Sequence, residues 1–175
     1  SGNQSFAFGE STVASSNNAT AFGSGTKSLF FFTLATGQNT EASGWASSSF
    51  GVGTKAQGYY TISGGDGTIA RSYASTVLGM FNDSFPASNY FNPIPTDPLF
   101  ILGNGLAHNN RSNALKKNKN GNADINGYTQ LRKASGGAPA IKQKKIIGFN
   151  TPSSANPNSW TFVPHGVNAS KILSI

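Results

Sequence analysis

Glycine recurs at a constant spacing of fourteen residues through the first half of the chain. The six positions are Gly9, Gly23, Gly37, Gly51, Gly65 and Gly79. The residues around the glycines repeat with the same period. Threonine stands three residues after each of the first five glycines, and a small or β-branched residue stands two residues before each of the six. A spacing held without slippage over six units is typical of stacked repeats, each forming one coil of a solenoid.

A unit of fourteen residues suits two short strands joined by two tight turns. Because side chains alternate between the two faces of a strand, the alanine or serine two residues before and five residues after each glycine is expected on the inner face. The glycine itself is expected where the backbone bends or where another backbone comes close. Coils stacked at the spacing of paired strands, about 4.8 Å, predict a rod of roughly 29 Å.

The composition gives this rod a thin core. Only 37% of the residues are hydrophobic and 11% are charged, yet the chain contains 13 Phe, 5 Tyr and 2 Trp. This aromatic content argues against disorder. An interior of alanine and serine leaves the Phe, Leu and Tyr positions uncovered, and other copies of the same chain are the simplest cover. The sequence therefore predicts burial by repetition and by association.

The repeats resemble a known family of surface proteins. The segments "AFGESTVA", "AFGSGTKS" and "SFGVGTKA" are similar to the head repeats of trimeric autotransporter adhesins over residues 5–84. The resemblance implies an all-β, homotrimeric, left-handed parallel β-roll around a threefold axis. The chain departs from that pattern at "SLFFFT" and "QGYYT", where aromatic residues replace small polar turn residues. Their rings are candidate surface-binding residues or extra contacts between chains: Phe30, Phe31, Tyr59 and Tyr60.

The stretch "TAFGSGTKS", residues 20–28, has a plainer explanation than the phosphate-binding loop it suggests. In such a loop glycine directly precedes the lysine, so that backbone amides can surround the phosphate. Here Thr26 precedes Lys27, and Thr54 precedes Lys55 in the equivalent position two repeats later. The repeat therefore accounts for this stretch, and no nucleotide cofactor is expected.

The second half of the chain predicts a series of smaller modules. Four prolines in residues 85–98 are expected to end the roll and form a neck. Residues 99–133 predict a small β-hairpin module, with strands at "LFIL" and "NALKK" and turns at "GNG" and "KNGNA". A Gly/Ala/Pro linker then opens residues 134–175, in which "PHGV…SKI" resembles the start of a small β-sandwich at the distal tips of phage fibres; the resemblance implies a tip that continues past Ile175.

This half resembles modules of bacteriophage tail fibres. The resemblance rests on the pattern "DPLFxxGNG…RSNAL…KNGN" from Asp97 to Asn122 and on "PHGV…SKI" near the end of the chain. It implies a fibre or spike of a phage or phage-like particle, with the tip module distal.

The net charge of +7 is concentrated in the second half. Residues 1–83 contain three basic and four acidic side chains, whereas residues 84–175 contain ten basic and two acidic ones. The basic cluster consists of Arg111, Lys116, Lys117, Lys119, Arg132, Lys133, Lys142, Lys144 and Lys145. This cluster has three interpretations: a solvated face, a binding surface for an anionic cell-surface glycan, or a binding surface for nucleic acid. The scarcity of interleaved aromatics argues against nucleic acid, and Lys116, Lys117 and Lys119 are the candidate surface-binding lysines.

Catalytic and metal-binding chemistry finds little support in the sequence. The chain has no cysteine, which excludes disulfides and thiolate metal sites. Its six carboxylates are scattered, and Glu10 and Asp66 are predicted about 19 Å apart, too far for glycoside cleavage. The two histidines, His108 and His165, are expected to be turn or packing residues. We therefore expect no enzyme, no catalytic residue, no metal and no cofactor.

These observations predict an extracellular structural and receptor-binding segment. The first hypothesis is a homotrimeric fibre or spike of a phage or phage-like particle that attaches to a bacterial surface glycan or envelope receptor, together with other virion or fibre proteins. The alternative is a bacterial surface adhesin that binds host matrix or other cells. No apolar run approaches the ~18 residues of a membrane helix. Membrane insertion of this segment is therefore not expected.

Overall fold

The chain forms a parallel β-solenoid of about five turns. The structure, a computed structural model, describes residues 2–84, 89–126, 128–131 and 141–144. Within these ranges all regular structure is β-strand and no helix occurs. The solenoid and its fourteen-residue period therefore confirm the all-β, parallel part of the fold prediction.

Each of the first five fourteen-residue units contributes one long and one short strand, and the sixth contributes a long strand alone. The long strands are β1 (Phe6–Glu10), β3 (Thr20–Ser24), β5 (Leu34–Gln38), β7 (Ser48–Val52), β9 (Ile62–Asp66) and β11 (Thr76–Met80). The short strands are β2 (Val13–Ala14), β4 (Lys27–Ser28), β6 (Glu41–Ala42), β8 (Lys55–Ala56) and β10 (Ile69–Ala70). Long strands pair with long and short with short, always in parallel and in register at a shift of fourteen, which gives one larger and one smaller sheet.

The core between the two sheets consists of small side chains, as predicted. The alanines Ala21, Ala35, Ala42, Ala56 and Ala70 are fully buried. Serine and threonine fill most of the remaining interior positions, and Val77 and Ile101 form a small buried apolar cluster with Ala70 toward the β11 end. The first turn is the exception, because β1 is an edge strand of the larger sheet and its inner-face residue Ala7 is exposed.

The glycine column lies where neighbouring backbones touch. Gly51 has φ +112°, and a Cβ built on it would lie 2.1 Å from the carbonyl oxygen of Gly65 in the next turn. The same close approach recurs between Gly37 and Gly51. Only glycine avoids both the forbidden dihedral and the contact, which explains its strict recurrence.

Buried hydroxyl groups pair inside single turns. The Ser49 Oγ lies 2.7 Å from the Thr54 Oγ1, and the Ser63 Oγ lies 2.9 Å from the Thr68 Oγ1. Where alanine replaces the serine, as in the turn of Thr40, the threonine hydroxyl is buried without a hydrogen-bond partner. The second and third turns therefore each contain a buried threonine hydroxyl that a serine in place of the alanine could hydrogen-bond.

The proline-rich segment is an insertion within the larger sheet rather than its end. Strand β12 (Pro98–Asn104) pairs in parallel with β11, with Gly103 opposite Gly79 and Leu102 opposite Leu78. The prediction that this segment ends the roll is therefore wrong for the larger sheet: among the described prolines, Pro93 and Pro95 stand outside the ladder and Pro98 takes the first position of β12. The domain boundaries at residues 84 and 98, and the term neck, stay predictions.

The larger sheet then continues with antiparallel strands. β13 (Asn113–Asn118) pairs with β12, and β14 (Ala123–Ile125) pairs with β13. A separate antiparallel pair joins β15 (Tyr128–Leu131) and β16 (Ile141–Lys144). The predicted tip beyond residue 144 lies outside the described residues, and the trimer and the left-handed coil direction stay predictions.

The smaller sheet ends at a side chain. Asn82 is fully buried, its Oδ1 accepts from the Ile69 N–H at 2.7 Å, and its Nδ2 donates to the Ile69 carbonyl at 3.1 Å. This amide therefore makes the two bonds that a sixth short strand would make. Arg111 covers the same end by donating to the carbonyls of Gly67 and Asn82, with its guanidinium 5.9 Å from the Phe81 ring centroid.

Candidate functional site

Large apolar side chains lie outside the narrow core and form two surfaces. The first, called the apolar stripe here, runs across the outer face of the larger sheet. It comprises the exposed residues one or three positions before each glycine: Phe6, Phe8, Phe22, Leu34, Phe50, Ile62 and Leu102. Phe8 is 60% exposed and stacks on Phe22 with ring centroids 5.3 Å apart. Each long strand from β1 to β9 therefore contributes at least one exposed apolar side chain to the stripe.

No charged residue interrupts the two columns that make up the apolar stripe. From β1 to β12 these columns contain only Phe, Leu, Ile, Thr, Ser and one glycine, Gly64. The Phe50 ring occupies the space above Gly64, where a Cβ would lie 2.2 Å from the ring. Acidic residues stand one position after the glycine, at Glu10 and Asp66, beside the stripe rather than in it. An uncharged surface with a polar margin is the usual anatomy of a protein interface.

The second surface, called the aromatic corner here, lies at the turns that lead from each short strand to the next long strand. Its members are Phe30, Phe31, Phe32, Trp45, Tyr59, Tyr60, Tyr73, Tyr90 and Phe91. All four aromatic candidates predicted from the sequence belong to it. Its rings meet at centroid distances between 4.8 and 6.5 Å, mostly tilted or edge to face.

Trp45 was missed by the sequence analysis although a signal was present. Phe31, Trp45, Tyr59 and Tyr73 stand fourteen residues apart, so they occupy the same turn position in four successive units. The Trp45 ring contacts Tyr59 at 5.9 Å and Tyr60 at 5.3 Å between centroids. It therefore connects the two aromatic segments that looked separate along the chain.

The turn backbone at the aromatic corner is left-handed. Asn18, Phe32, Ala46, Tyr60 and Ala74 occupy equivalent positions with φ between 50° and 58°. Asparagine visits this region readily, whereas a bulky aromatic residue is disfavoured there by about 1–2 kcal/mol. Two aromatic residues are thus held at a position that asparagine fits better, an arrangement found preferentially at functional sites.

The ten-residue insertion supplies the remaining rings. The Tyr59 N–H donates to the Tyr90 carbonyl at 3.0 Å, and the Phe91 ring packs edge to face on Tyr59 with centroids 4.8 Å apart. Tyr90 and Phe91 therefore lie against the flank of the solenoid and enlarge the aromatic corner.

The three candidate lysines have partners within the chain. Lys116 forms an ion pair with Asp124 at 2.8 Å, and the Lys117 ammonium donates to the Gly121 carbonyl. The Lys119 ammonium donates to the Pro98 carbonyl at 2.7 Å. Burial lowers the pKa of Lys119, and the nearby charge of Asp97 opposes that shift. These contacts brace β12, β13 and β14, and the other basic residues from 132 onward have no described side chains.

Lys27, from the stretch that suggests a phosphate loop, lies on the smaller sheet. Register places it beside Glu41, with Lys55 on the far side of that carboxylate. The three residues line a shallow cleft of about 330 Å³ together with Asn39. The cleft contains both charge signs and no backbone cradle for a phosphate.

Other chemistry is equally sparse in the described part of the chain. No group of three or more His, Asp or Glu side chains in these ranges is arranged to hold a metal ion. His108 contacts the Phe81 ring, and its Nδ1 lies 3.0 Å from the Arg111 guanidinium, so it belongs to the end of the solenoid. The same residues contain no helix that could cross a membrane.

In the described part of the chain, the fold is thus a parallel β-solenoid that carries the apolar stripe and the aromatic corner on its surface. The chain matches no protein family, no curated protein and no solved structure in comparisons with known proteins.

Proposed function

We propose that the chain is a segment of a homotrimeric surface fibre, in which the apolar stripes of three copies meet along a common axis. The apolar stripe is the observation that carries this proposal. Its seven side chains are about half exposed, and side chains of this size present roughly 150–250 Å² each, so the stripe leaves on the order of 600 Å² of apolar surface uncovered. Monomeric soluble proteins rarely expose a contiguous apolar patch of that size.

A second copy of the chain fits the stripe better than an unrelated partner. The stripe repeats with the period of the solenoid, so parallel copies present matching side chains at every turn. The resemblance of the repeats to trimeric adhesin heads supports three copies. Association would also bury the exposed face of the larger sheet and stiffen a rod whose own core is thin.

In this proposal the segment has a mechanical and adhesive role outside the cell rather than a catalytic one. The similarity of residues 97–122 to phage tail-fibre modules favours a virion or phage-like fibre that attaches to a bacterial envelope receptor, alongside other fibre proteins. The resemblance of the head repeats alone supports the alternative, a bacterial adhesin that binds host matrix or other cells.

The absolute mass in solution tests the association. Light scattering after gel filtration should give a mass near three times 18.2 kDa. Replacing Phe22 and Phe50 by lysine should place charge in the shared interface and yield a monomer. Gln38→Lys is the matched control, because Gln38 is exposed beside the stripe on the same sheet. A native chain that stays monomeric at all accessible concentrations would contradict the proposal.

Attachment is tested on the same samples. The labelled native protein should bind bacterial cells of a susceptible species and not extracellular-matrix proteins, whereas the adhesin alternative predicts the reverse. The monomeric variant should bind more weakly, because three sites on one particle raise avidity.

A further inference from the structure

The aromatic corner is assembled from parts that the solenoid itself does not require. The fourteen-residue register is interrupted once, between Gly79 and Gly103, and the extra segment places Phe91 directly on Tyr59. Insertions in repeat proteins map to one face and are frequently the binding face. A regular turn without the insertion would keep the sheets intact.

The backbone strain at the corner supports a role in binding. Phe32 and Tyr60 hold φ +58° at a position where Asn18 serves in an earlier turn. The two rings contact Trp45 from either side, at 6.4 and 5.3 Å between centroids. The corner therefore keeps rings at a conformational cost that a purely structural turn would avoid by using asparagine.

The charge of the corner restricts what it can bind. Its nine members are all uncharged, and the neighbouring Arg71 guanidinium donates to Gln57 at 3.0 Å and to Ser84. Nucleic acids and acidic polysaccharides require cations that neutralise them. The tyrosine hydroxyls and the indole N–H supply hydrogen bonds next to apolar ring surface, which suits a ligand with hydroxyl groups and apolar ring faces.

We propose that the aromatic corner binds an uncharged glycan chain, with Trp45 at its centre and Tyr60, Phe31 and Phe91 as its exposed contacts. This inference rests on the proposed attachment function and names the class of receptor that it would use. Phe31 is 41% exposed and Phe91 57%, so both rings are accessible in the chain. Sugar rings would pack against these side chains while their hydroxyls bond to the tyrosines.

Fluorescence of Trp45 provides the direct test. The chain has two tryptophans, so Trp160→Phe leaves Trp45 as the single reporter. Neutral linear hexasaccharides of glucose, galactose and N-acetylglucosamine are titrated beside sialylated and uronate-containing ones, with calorimetry on the native protein in parallel. At least one neutral probe should change the emission saturably, and Phe91→Ala should weaken its affinity about three- to tenfold.

Tyr60→Asn separates binding from folding. It removes a contact ring but relieves the left-handed strain, so affinity should fall while the unfolding temperature stays the same or rises. Ala74→Asn makes the matched change at the equivalent turn position without removing a ring, and it should leave affinity unchanged. Leu106→Ala, an exposed apolar residue outside the corner, should also leave it unchanged.

Two results would overturn the inference. One is that no neutral probe binds while the native protein is trimeric and attaches to cells, in which case the proposed function stands without this site. The other is that only acidic probes bind and that Lys27→Ala abolishes their binding, which would place recognition in the cleft of the smaller sheet. Loss of both trimer and cell attachment in the native protein would instead contradict the proposed function.

Discussion

The glycine column makes a sharp prediction, because two glycines of one fourteen-residue unit differ in backbone dihedral and in how closely the next strand approaches them. Gly51 stands in the ladder with φ +112°, and an added Cβ would lie 2.1 Å from the Gly65 carbonyl oxygen. Gly53 stands in the tight turn that directly follows β7 in the same unit, with φ +60°, and a Cβ added to it would meet nothing closer than 4.0 Å. Gly51→Ala should therefore disrupt the solenoid, whereas Gly53→Asn should be tolerated.

The magnitude follows from two terms. Alanine at the Gly51 dihedral costs about 1–3 kcal/mol. Relieving the contact with the next strand also requires a shift of more than 1 Å, estimated from ordinary contact distances of about 3.5 Å, which would weaken about two ladder hydrogen bonds at roughly 1 kcal/mol each. The total is about 3–5 kcal/mol. Gly53→Asn should cost less than about 1 kcal/mol, because Asn39 already occupies the equivalent position with φ +52°.

Thermal unfolding followed by far-ultraviolet circular dichroism measures the difference. Both variants are compared at the same chain concentration, since the midpoint of an associating protein depends on concentration. At 2–4 °C for each kcal/mol in a chain of this size, Gly51→Ala should lower the midpoint by about 10 °C and Gly53→Asn by about 3 °C or less. Equal losses in the two variants would refute the close-approach explanation of the column.

Two further predictions concern the interior and the end of the solenoid. Ser49→Ala removes a buried hydroxyl pair and should lower the free energy of unfolding by about 1–2 kcal/mol. Ala35→Ser gives the unpartnered Thr40 hydroxyl a partner and should not lower that free energy. Urea unfolding that finds Ala35→Ser less stable than Ser49→Ala would contradict this account. Asn82→Ala should speed hydrogen exchange of the Ile69 amide and lower the free energy of unfolding by about 2 kcal/mol. Unchanged protection of that amide would show that the Asn82 side chain does not close the smaller sheet.

The solenoid could be predicted from the sequence because its geometry repeats residue by residue. A backbone contact between successive glycines admits no substitute, so the column is strict, and most inner-face positions hold alanine, serine or threonine. The aromatic candidates were also visible, since Phe30 stands where other units have serine or glycine, and Tyr59 stands where the first complete turn has Asn17. Trp45 escaped notice because it stands singly, although its spacing from Phe31 and Tyr59 places it in the same column.

The continuation of the larger sheet into β12 could not be predicted from spacing alone. The ten-residue insertion shifts Gly103 out of phase, and the prolines before it are ordinarily a signal that a ladder ends. Nor does the sequence show that a side chain closes the smaller sheet at Asn82. The lysines at 116, 117 and 119 were candidate surface-binding residues in the sequence, because their partners within the chain are carbonyls and a carboxylate brought near only by the pairing of β12, β13 and β14.

The narrowness of the solenoid links its fold to its function. An interior filled mainly by alanine, serine and threonine, with Val77 and Ile101 at one end, forces aromatic side chains outward, so a chain with this aromatic content must present apolar surfaces. The two surfaces differ in chemistry. The apolar stripe is periodic and has no charge, which suits a second copy of the same chain. The aromatic corner is irregular, strained and rich in hydroxyl groups, which favours a hydroxylated ligand over another copy.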